Sequence, residues 1–271
     1  MVNGKIKNKK IGIIGGGVMG EALVAGLLRS GACSAENLMV SDTLVERLEF
    51  LRSKYGIDAD KDNMRIVGRC EIIVLAVKPQ TLPDLLREIG PSIHKDVVVV
   101  SIAAGVKLSS LTWWIKTKVV RAMPNICTQV GEGLTALAGT PGITQEDMDM
   151  VGVLFEAVGK AVWLDESKMD AVTAISGSGP AYMFLVMEAM IQGGVEAGLS
   201  LQQSRELVFQ TVKGAAQMAI TSGENPAVLR EKITSPQGTT AAALHQLELH
   251  GVRGAFLDAI AAAAQRSRDL G

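Results

Sequence analysis

Gly15, Gly17 and Gly20 stand in the spacing G-x-G-x-x-G, behind the apolar run Ile11-Gly12-Ile13-Ile14 and ahead of Glu21-Ala-Leu-Val-Ala-Gly-Leu-Leu. Residues of these types in this order make an anion receptor. The first glycine permits a tight turn, the second lets backbone approach a pyrophosphate, and the third lets a helix pack closely on a strand. The helix that begins there aims unpaired N–H groups at whatever anion lies in front of it. Glycine is abundant, at 29 residues, so the spacing alone is a weak signal and its context has to carry the reading. A second apolar run, Leu38-Met39-Val40, ends at Ser41-Asp42. That is about 20 residues beyond the turn, where an acidic side chain hydrogen-bonds an adenosine ribose. The stretch reads as a dinucleotide site.

A second stretch with chemistry in it is Ile233-Thr-Ser-Pro-Gln-Gly-Thr-Thr240. Ser235 followed by Pro236 reads as a helix N-cap with proline at the first helical position. The next N–H groups, on Gln237, Gly238 and Thr239, then lack intrahelical partners. Gly238 and the hydroxyls of Thr239 and Thr240 keep the spot open and polar, as a receptor for a small carboxylate requires. An anion there gains roughly 0.3–2 kcal/mol from the helix terminus, and about 1.5–3 kcal/mol from each charged hydrogen bond. The alternative is an ordinary capped helix. Ser176 to Gly179, inside Ala171-Val-Thr-Ala-Ile-Ser-Gly-Ser-Gly-Pro-Ala-Tyr182, are too small to fill a core. They suit close helix–helix approach at a dimer seam or a direct ligand role, and both readings stay open.

Other reactive side chains argue by exclusion. His94 falls in a turn before a strand, and His245 and His250 fall on or beside a C-terminal helix, so none reads as a catalytic base. Cys33, Cys70 and Cys127 are odd in number and scattered, against a disulfide framework and for a reducing cytoplasm. No Cys or His pair has metal-ligand spacing, so no metal is expected. A net charge of −1 gives no reason to expect nucleic acid or an anionic membrane surface. No apolar run of the roughly 18 residues that span a bilayer is expected, nor a signal peptide. Lys5, Lys7, Lys9 and Lys10 read as a solvated leader.

These residues need elements to hold them. Residues 71–77, 96–101, 118–122 and 161–164 are further apolar runs, alternating with helical patterns at 45–54, 82–89 and 144–158. Pro83 is acceptable in a first turn, and Thr144-Gln-Glu-Asp147 has capping-box spacing. The alternation predicts an α/β fold, a Rossmann-type doubly wound, mostly parallel sheet. Ligands of such sheets bind beyond the carboxyl ends of the strands. That singles out Gly15 to Gly20, Ser41-Asp42, Ala76-Val77-Lys78-Pro79, and Ser101 to Gly105 with Ala103 and Ala104. From Lys168 onward only helical stretches follow, capped at Ser200-Leu-Gln-Gln203 and Asn225-Pro226. The boundary is placed at Asp165, giving a dinucleotide-binding domain at 1–165 and an all-helical substrate-binding and dimerisation domain at 166–271. Helices apolar all round need burial on several sides, so those of the second domain are expected to intertwine with a partner subunit's.

Together with Leu75-Ala-Val-Lys-Pro79, Ser101-Ile-Ala-Ala-Gly105 and Val120-Arg-Ala-Met-Pro-Asn125, these motifs make the sequence resemble pyrroline-5-carboxylate reductase over nearly its whole length. The resemblance implies reduction of a cyclic imine, 1-pyrroline-5-carboxylate, to L-proline with NADPH or NADH, the last step of proline biosynthesis. It implies a cytoplasmic enzyme built from an interleaved homodimer, in the family often five dimers in a decamer. By the same resemblance Ile14, Gly15, Gly16, Gly17, Val18 and Met19 hold the pyrophosphate. Ser41 and Asn63 meet the adenosine end, Val77 and Lys78 line the ribose side, and Ala104 lies near the nicotinamide. Glu166, Thr239 and Thr240 are the implied substrate contacts, with Ser235 and Gly238 completing the carboxylate cradle.

A protonated imine already carries positive charge and needs positioning more than a strong acid. Thr240 is therefore cast as an orienting hydrogen bond or a relay, while near-attack geometry supplies about 7–11 kcal/mol of the barrier. Three departures from the family pattern stand out. Asp42 sits where NADPH-preferring members carry a neutral or basic residue, and a carboxylate about 4 Å from a 2′-phosphate costs up to ~4 kcal/mol, so NADH is expected to serve comparatively well. Cys127 replaces a proline. Lys232 and Gln237 replace Asn or Gln and glycine beside the cradle. Rival readings are a related imine reductase, a β-hydroxy-acid reductase, or a non-catalytic NAD(P)-binding protein. The second needs a catalytic lysine, and Lys168 and Lys213 lie in no glycine-rich signature; the third has no need of a carboxylate cradle.

Overall fold

The structure, a computed structural model, describes residues 6–270. Its chain divides into two compact units. The first runs through Ser178 and takes back the chain from Ala263; the second is Gly179–Ala262.

The first unit is built on eight strands: β1 (Ile11–Ile14), β2 (Leu38–Ser41), β3 (Asp58–Asp60), β4 (Ile72–Leu75), β5 (Val98–Ser101), β6 (Lys118–Met123), β7 (Gly133–Gly139) and β8 (Gly159–Trp163). They lie in the order β3-β2-β1-β4-β5-β6-β7-β8. Pairing is parallel from β3 to β6, antiparallel between β6 and β7, and parallel again between β7 and β8. The expected doubly wound, mostly parallel sheet is the observed one. Strands β1, β2, β4 and β5 are buried at every position, which is why their sequences read as continuous apolar runs instead of alternating ones. Ile11 and Ile13 face Leu23, Leu27 and Phe155 on one side of the sheet. Ile14 joins Ile73, Leu75 and Leu86 on the other.

The covering helices are α1 (Val18–Ser30), α2 (Val45–Tyr55), α3 (Asn63–Val67), α4 (Leu82–Ile89), α5 (Leu108–Trp114), α6 (Gln145–Glu156) and α7 (Met169–Val172). The capping box forms: Thr144 Oγ1 accepts the Asp147 N–H at 3.2 Å, and Asp147 Oδ2 accepts the Thr144 N–H at 2.9 Å. Strands β3 and β7 and helices α3 and α5 were not anticipated. β3 is three residues with two aspartates, and β7 is Gly-Leu-Thr-Ala-Leu-Ala-Gly, too poor in branched side chains to signal a strand. Pairing on both flanks fixes β7 where propensity does not. The leader is not wholly solvated either. Ile6 is fully buried and Lys9 Nζ lies 2.7 Å from Glu71, while Lys7 and Lys10 are exposed; Lys5 lies outside the described residues.

The second unit holds α8 (Gly179–Glu196), α9 (Leu201–Ser222), α10 (Pro226–Lys232), α11 (Thr239–Leu249) and most of α12 (Val252–Leu270). Ser200 forms its capping box with Gln203, and Asn225 Oδ1 accepts the Ala227 N–H at 2.9 Å. Between Gly179 and Ala262 only Ser204 and Val208 are buried among the described residues, and Leu185, Ile220 and Leu257 are each more than 60% exposed. One expectation fails here. The helical run Glu166–Glu196, 31 residues containing an 18-residue stretch at mean hydropathy 1.2, is long and apolar enough to cross a membrane by length and composition. Its small residues, Ala, Gly and Ser, hide that character from a search for an unbroken row of large apolar side chains.

Candidate active site

The glycine turn sits where the strand order reverses, between β1 and β4. Gly15 has φ +107°, and a Cβ there would lie 2.6 Å from the Ala76 carbonyl oxygen. A Cβ on Gly20 would lie 2.1 Å from the Gly15 carbonyl oxygen. Both glycines are imposed by backbone contact. Gly17 is different: a Cβ there would meet nothing within 4 Å. It is the N-cap of α1 with no side-chain cap, and the first helical bond runs from Glu21 N–H to Gly17 O at 2.9 Å. The N–H groups of Val18, Met19 and Gly20 precede that ladder. An open front and unladdered amides fit a pyrophosphate.

The adenosine side is more tightly bound up than the sequence suggests. Asp42 Oδ2 accepts the Gly16 N–H at 2.7 Å and Oδ1 the Leu44 N–H at 3.0 Å. Its carboxylate thus braces the glycine turn from within the protein, beyond the ribose role expected of it. Arg47 donates to the Gly16 carbonyl and to Glu21, and stacks 4.8 Å from the Phe50 ring. Glu21 also accepts from Lys54 Nζ at 3.0 Å and the Tyr55 hydroxyl at 2.8 Å. Burial alone would push the Glu21 carboxyl up, but these donors outweigh it and hold it at about 2. Ser41, fully buried, donates to Asn63 Oδ1 at 2.8 Å. Ala76 and Val77 are half-buried, Lys78 exposed and Pro79 half-buried; Ala103 is buried and Ala104 exposed.

At the end of β6 the chain gathers more polar groups. Glu166 opens the turn Glu166–Lys168, and its Oε1 accepts from Arg121 Nη1 at 3.2 Å and from the Leu108 N–H at 2.7 Å. Asn125 Nδ2 donates to Ser176 Oγ at 3.1 Å, and Asn125 Oδ1 accepts the Cys127 N–H at 3.2 Å. Ser176 belongs to a π-helical turn, Thr173–Gly177, a rare form that is frequent at functional sites. Arg121, Arg47 and Asn125 were given no role of their own in the sequence reading, and Ser176 only the open choice between a dimer seam and a ligand role. For Arg121 the signal was there: a lone guanidinium inside Val-Val-Arg-Ala, an otherwise apolar strand. Burial pushes the thiols of Cys33 and Cys70 up to about 11, leaving them unreactive.

In the second unit the cradle stretch departs from its expected form. Ser235 does not cap a helix at Pro236. Ser235 to Gly238 make a turn closed by the Gly238 N–H on the Ser235 carbonyl at 3.1 Å, and α11 begins only at Thr239 with Gly238 as N-cap. Gln237 holds φ +60° in that turn, a left-handed conformation natural to glycine. A Cβ on Gly238 would lie 2.3 Å from Ser235 Oγ. The first helical bond runs from Ala242 N–H to Gly238 O at 3.1 Å. The outward N–H groups are therefore those of Thr239, Thr240 and Ala241, two residues later than read. Lys232 is tied to Glu224, 2.6 Å away. His94 faces Asp96 at 3.3 Å on the surface, and His245 and His250 are exposed.

Residues 166–270 match the family described as pyrroline-5-carboxylate reductase dimerisation, and residues 10–105 one described as NADP oxidoreductase, coenzyme F420-dependent. The chain is 44% identical to pyrroline-5-carboxylate reductase of Methanosarcina acetivorans, over 98% of this chain and 99% of that one. It is 38% identical to the Arabidopsis thaliana enzyme, over 96% and 95%. Among solved structures, pyrroline-5-carboxylate reductase of Coxiella burnetii superposes with TM-score 0.91 at 33% identity, covering 98% of this chain and 99% of that one. The Plasmodium falciparum pyrroline carboxylate reductase, solved with NADP bound, gives 0.89 at 32%, with the same coverage. A Rossmann unit with a dinucleotide turn, followed by an apolar helical unit, defines an oxidoreductase of the nicotinamide-linked class. Within that class the chain belongs to the pyrroline-5-carboxylate reductase family.

Proposed function

We propose that this protein reduces 1-pyrroline-5-carboxylate to L-proline with NADPH or NADH, closing proline biosynthesis. The observation that carries the reading is the open glycine turn at Gly17, in a chain that belongs to this family along nearly its full length. When bound, the reduced nicotinamide supplies the hydride. Residues Ile14 to Gly20 are proposed to cradle the pyrophosphate, Ser41, Asp42 and Asn63 to meet the adenosine end, and Ala76 to Pro79 with Ala103 and Ala104 to line the rest of the crevice. Glu166, Ser235, Gly238, Thr239 and Thr240 are the proposed substrate contacts, and the turn and amide row of Ser235–Thr240 suit a carboxylate. Thr240 orients the ring nitrogen.

We further read residues 166–271 as the dimerisation domain, in a homodimer that serves as the unit of a decamer, in the cytoplasm, with no nucleic acid or membrane as partner. The scarcity of buried residues in Gly179–Ala262 supports a partner chain as what covers the apolar helices. Asp42 carries its charge at the adenosine end, so NADH is expected to compete well. Specificity constants for the two cofactors measure this, and a preference for NADPH of about a thousandfold overturns it. The activity is tested by incubating purified protein with pyrroline-5-carboxylate and either cofactor, with other cyclic imines as controls. Proline formation is expected. Its absence with both cofactors, or faster turnover of another imine, overturns the reading.

A further inference from the structure

Arg121 lies in β6 with 4% of its surface exposed. A guanidinium does not lose its charge in a protein, so burying one requires a partner. Its strand neighbours leave room for it: Ser101 across the parallel pairing and Ala138 across the antiparallel one are both small. The partner is Glu166 Oε1, which also takes the Leu108 N–H. Among the described residues Glu166 Oε2 has no hydrogen-bond partner, and the side chain is 32% exposed. The carboxylate is divided into one oxygen the protein holds and one it leaves outward.

We propose that Arg121 is a positioning residue for the reduction: with the Leu108 N–H it fixes Oε1 of Glu166, so that Oε2 is presented to the protonated ring nitrogen of the imine. The proposal rests on the reading of Glu166 as a substrate contact and adds how that contact is held. Arg121 does not touch the substrate. A glutamate has three side-chain torsions to lose on binding, and one whose carboxylate is already fixed by two donors from separate elements loses little more. The charge that meets the iminium then stands in place before the substrate arrives, which is what makes an oriented charge effective.

The test uses the full-length protein in four forms: wild type, Arg121→Met, Glu166→Gln and the double variant. The Michaelis constants for pyrroline-5-carboxylate and for NADPH are measured for each. Arg121→Met is expected to raise the imine constant about tenfold while leaving the NADPH constant within about twofold. The double variant should be no worse than Glu166→Gln alone, since Arg121 acts only through that carboxylate. Arg121→Lys should recover part of the loss. Should Arg121→Met fail to fold, Leu108→Pro carries the same test. It deletes the second donor at the first position of α5, where proline is tolerated, and Lys107 before it is already extended at φ −78°, ψ 152°. If Glu166→Gln is impaired while neither Arg121→Met nor Leu108→Pro moves the imine constant, the positioning role is wrong and the substrate contact stands. An unimpaired Glu166→Gln removes the reading beneath it. Additive losses in the double variant mean that Arg121 meets the substrate directly, which also overturns the proposal.

Discussion

Single residues carry the chemistry, and they were unevenly legible. Thr240 is too weak an acid to protonate an imine unaided, and it stands in the first turn of α11 among amides that lie ahead of the helical ladder. Its removal costs orientation and spares hydride transfer itself. Thr240→Ala is expected to slow turnover by tens to hundreds-fold, roughly 2–3 kcal/mol of barrier. Loss below detection in a correctly folded variant would falsify the orienting role. The glycines, Asp42 and the Ser235–Thr240 stretch could be read directly because their types are unusual for where they stand. Two of them then proved to do something else as well. Asp42 turned inward onto the Gly16 N–H, and the helix start slipped from Pro236 to Thr239 because Ser235 to Gly238 closed a turn of their own. Both are hydrogen-bond choices between neighbours that a linear spacing does not settle. Arg121 and Glu166, 45 positions apart, could not be paired from the sequence at all.

At the scale of elements, strands buried on both faces announce themselves by composition, and so β1, β4 and β5 were legible while β3 and β7 were not. The β1–α1 turn separates two duties that one motif hides. A Cβ on Gly20 meets the Gly15 carbonyl, whereas one on Gly17 meets nothing. Gly20→Ala is therefore expected to lower the melting temperature sharply. Gly17→Ala, at φ −65°, should fold normally and weaken NADPH binding about tenfold or more. Thermal melts with fluorescence titration decide between them, and equal destabilisation of both would sink the distinction. The same element contributes an acid-sensitive brace. Glu21 titrates at about 2 in the folded chain against an ordinary 4.5. A depressed carboxyl contributes stability that is whole above the unfolded value and fades as pH falls toward the folded one. With its side chain 21% exposed, the contribution is on the order of 1–3 kcal/mol. Urea midpoints of wild type and Glu21→Gln should differ near pH 7 and converge near pH 2; a difference that persists in acid contradicts the brace.

For the whole molecule, the decisive feature is a helical unit that buries almost nothing by itself. The apolar helices were legible as such, but which residues cover them was not, since within Gly179–Ala262 only Ser204 and Val208 are buried among the described residues. If folding requires pairing, the free energy of unfolding falls by about 1.4 kcal/mol per dimer for each tenfold dilution. The melting temperature should accordingly drop as protein is diluted, and one independent of concentration would mean that the unit folds alone. A different consequence follows from the chain's last residues. Ser267 Oγ donates to Asp170 at 2.7 Å, and Leu270 Cβ lies 3.4 Å from where Gly105 would carry its own. The final turns of α12 thus belong to the same body as the residues up to Ser178. A ribosome makes the residues up to Ser178 before the helical unit, yet their body also takes in residues made after that unit. Nascent chains halted inside Gly179–Ala262 therefore carry a nucleotide fold that still lacks the last turns of α12.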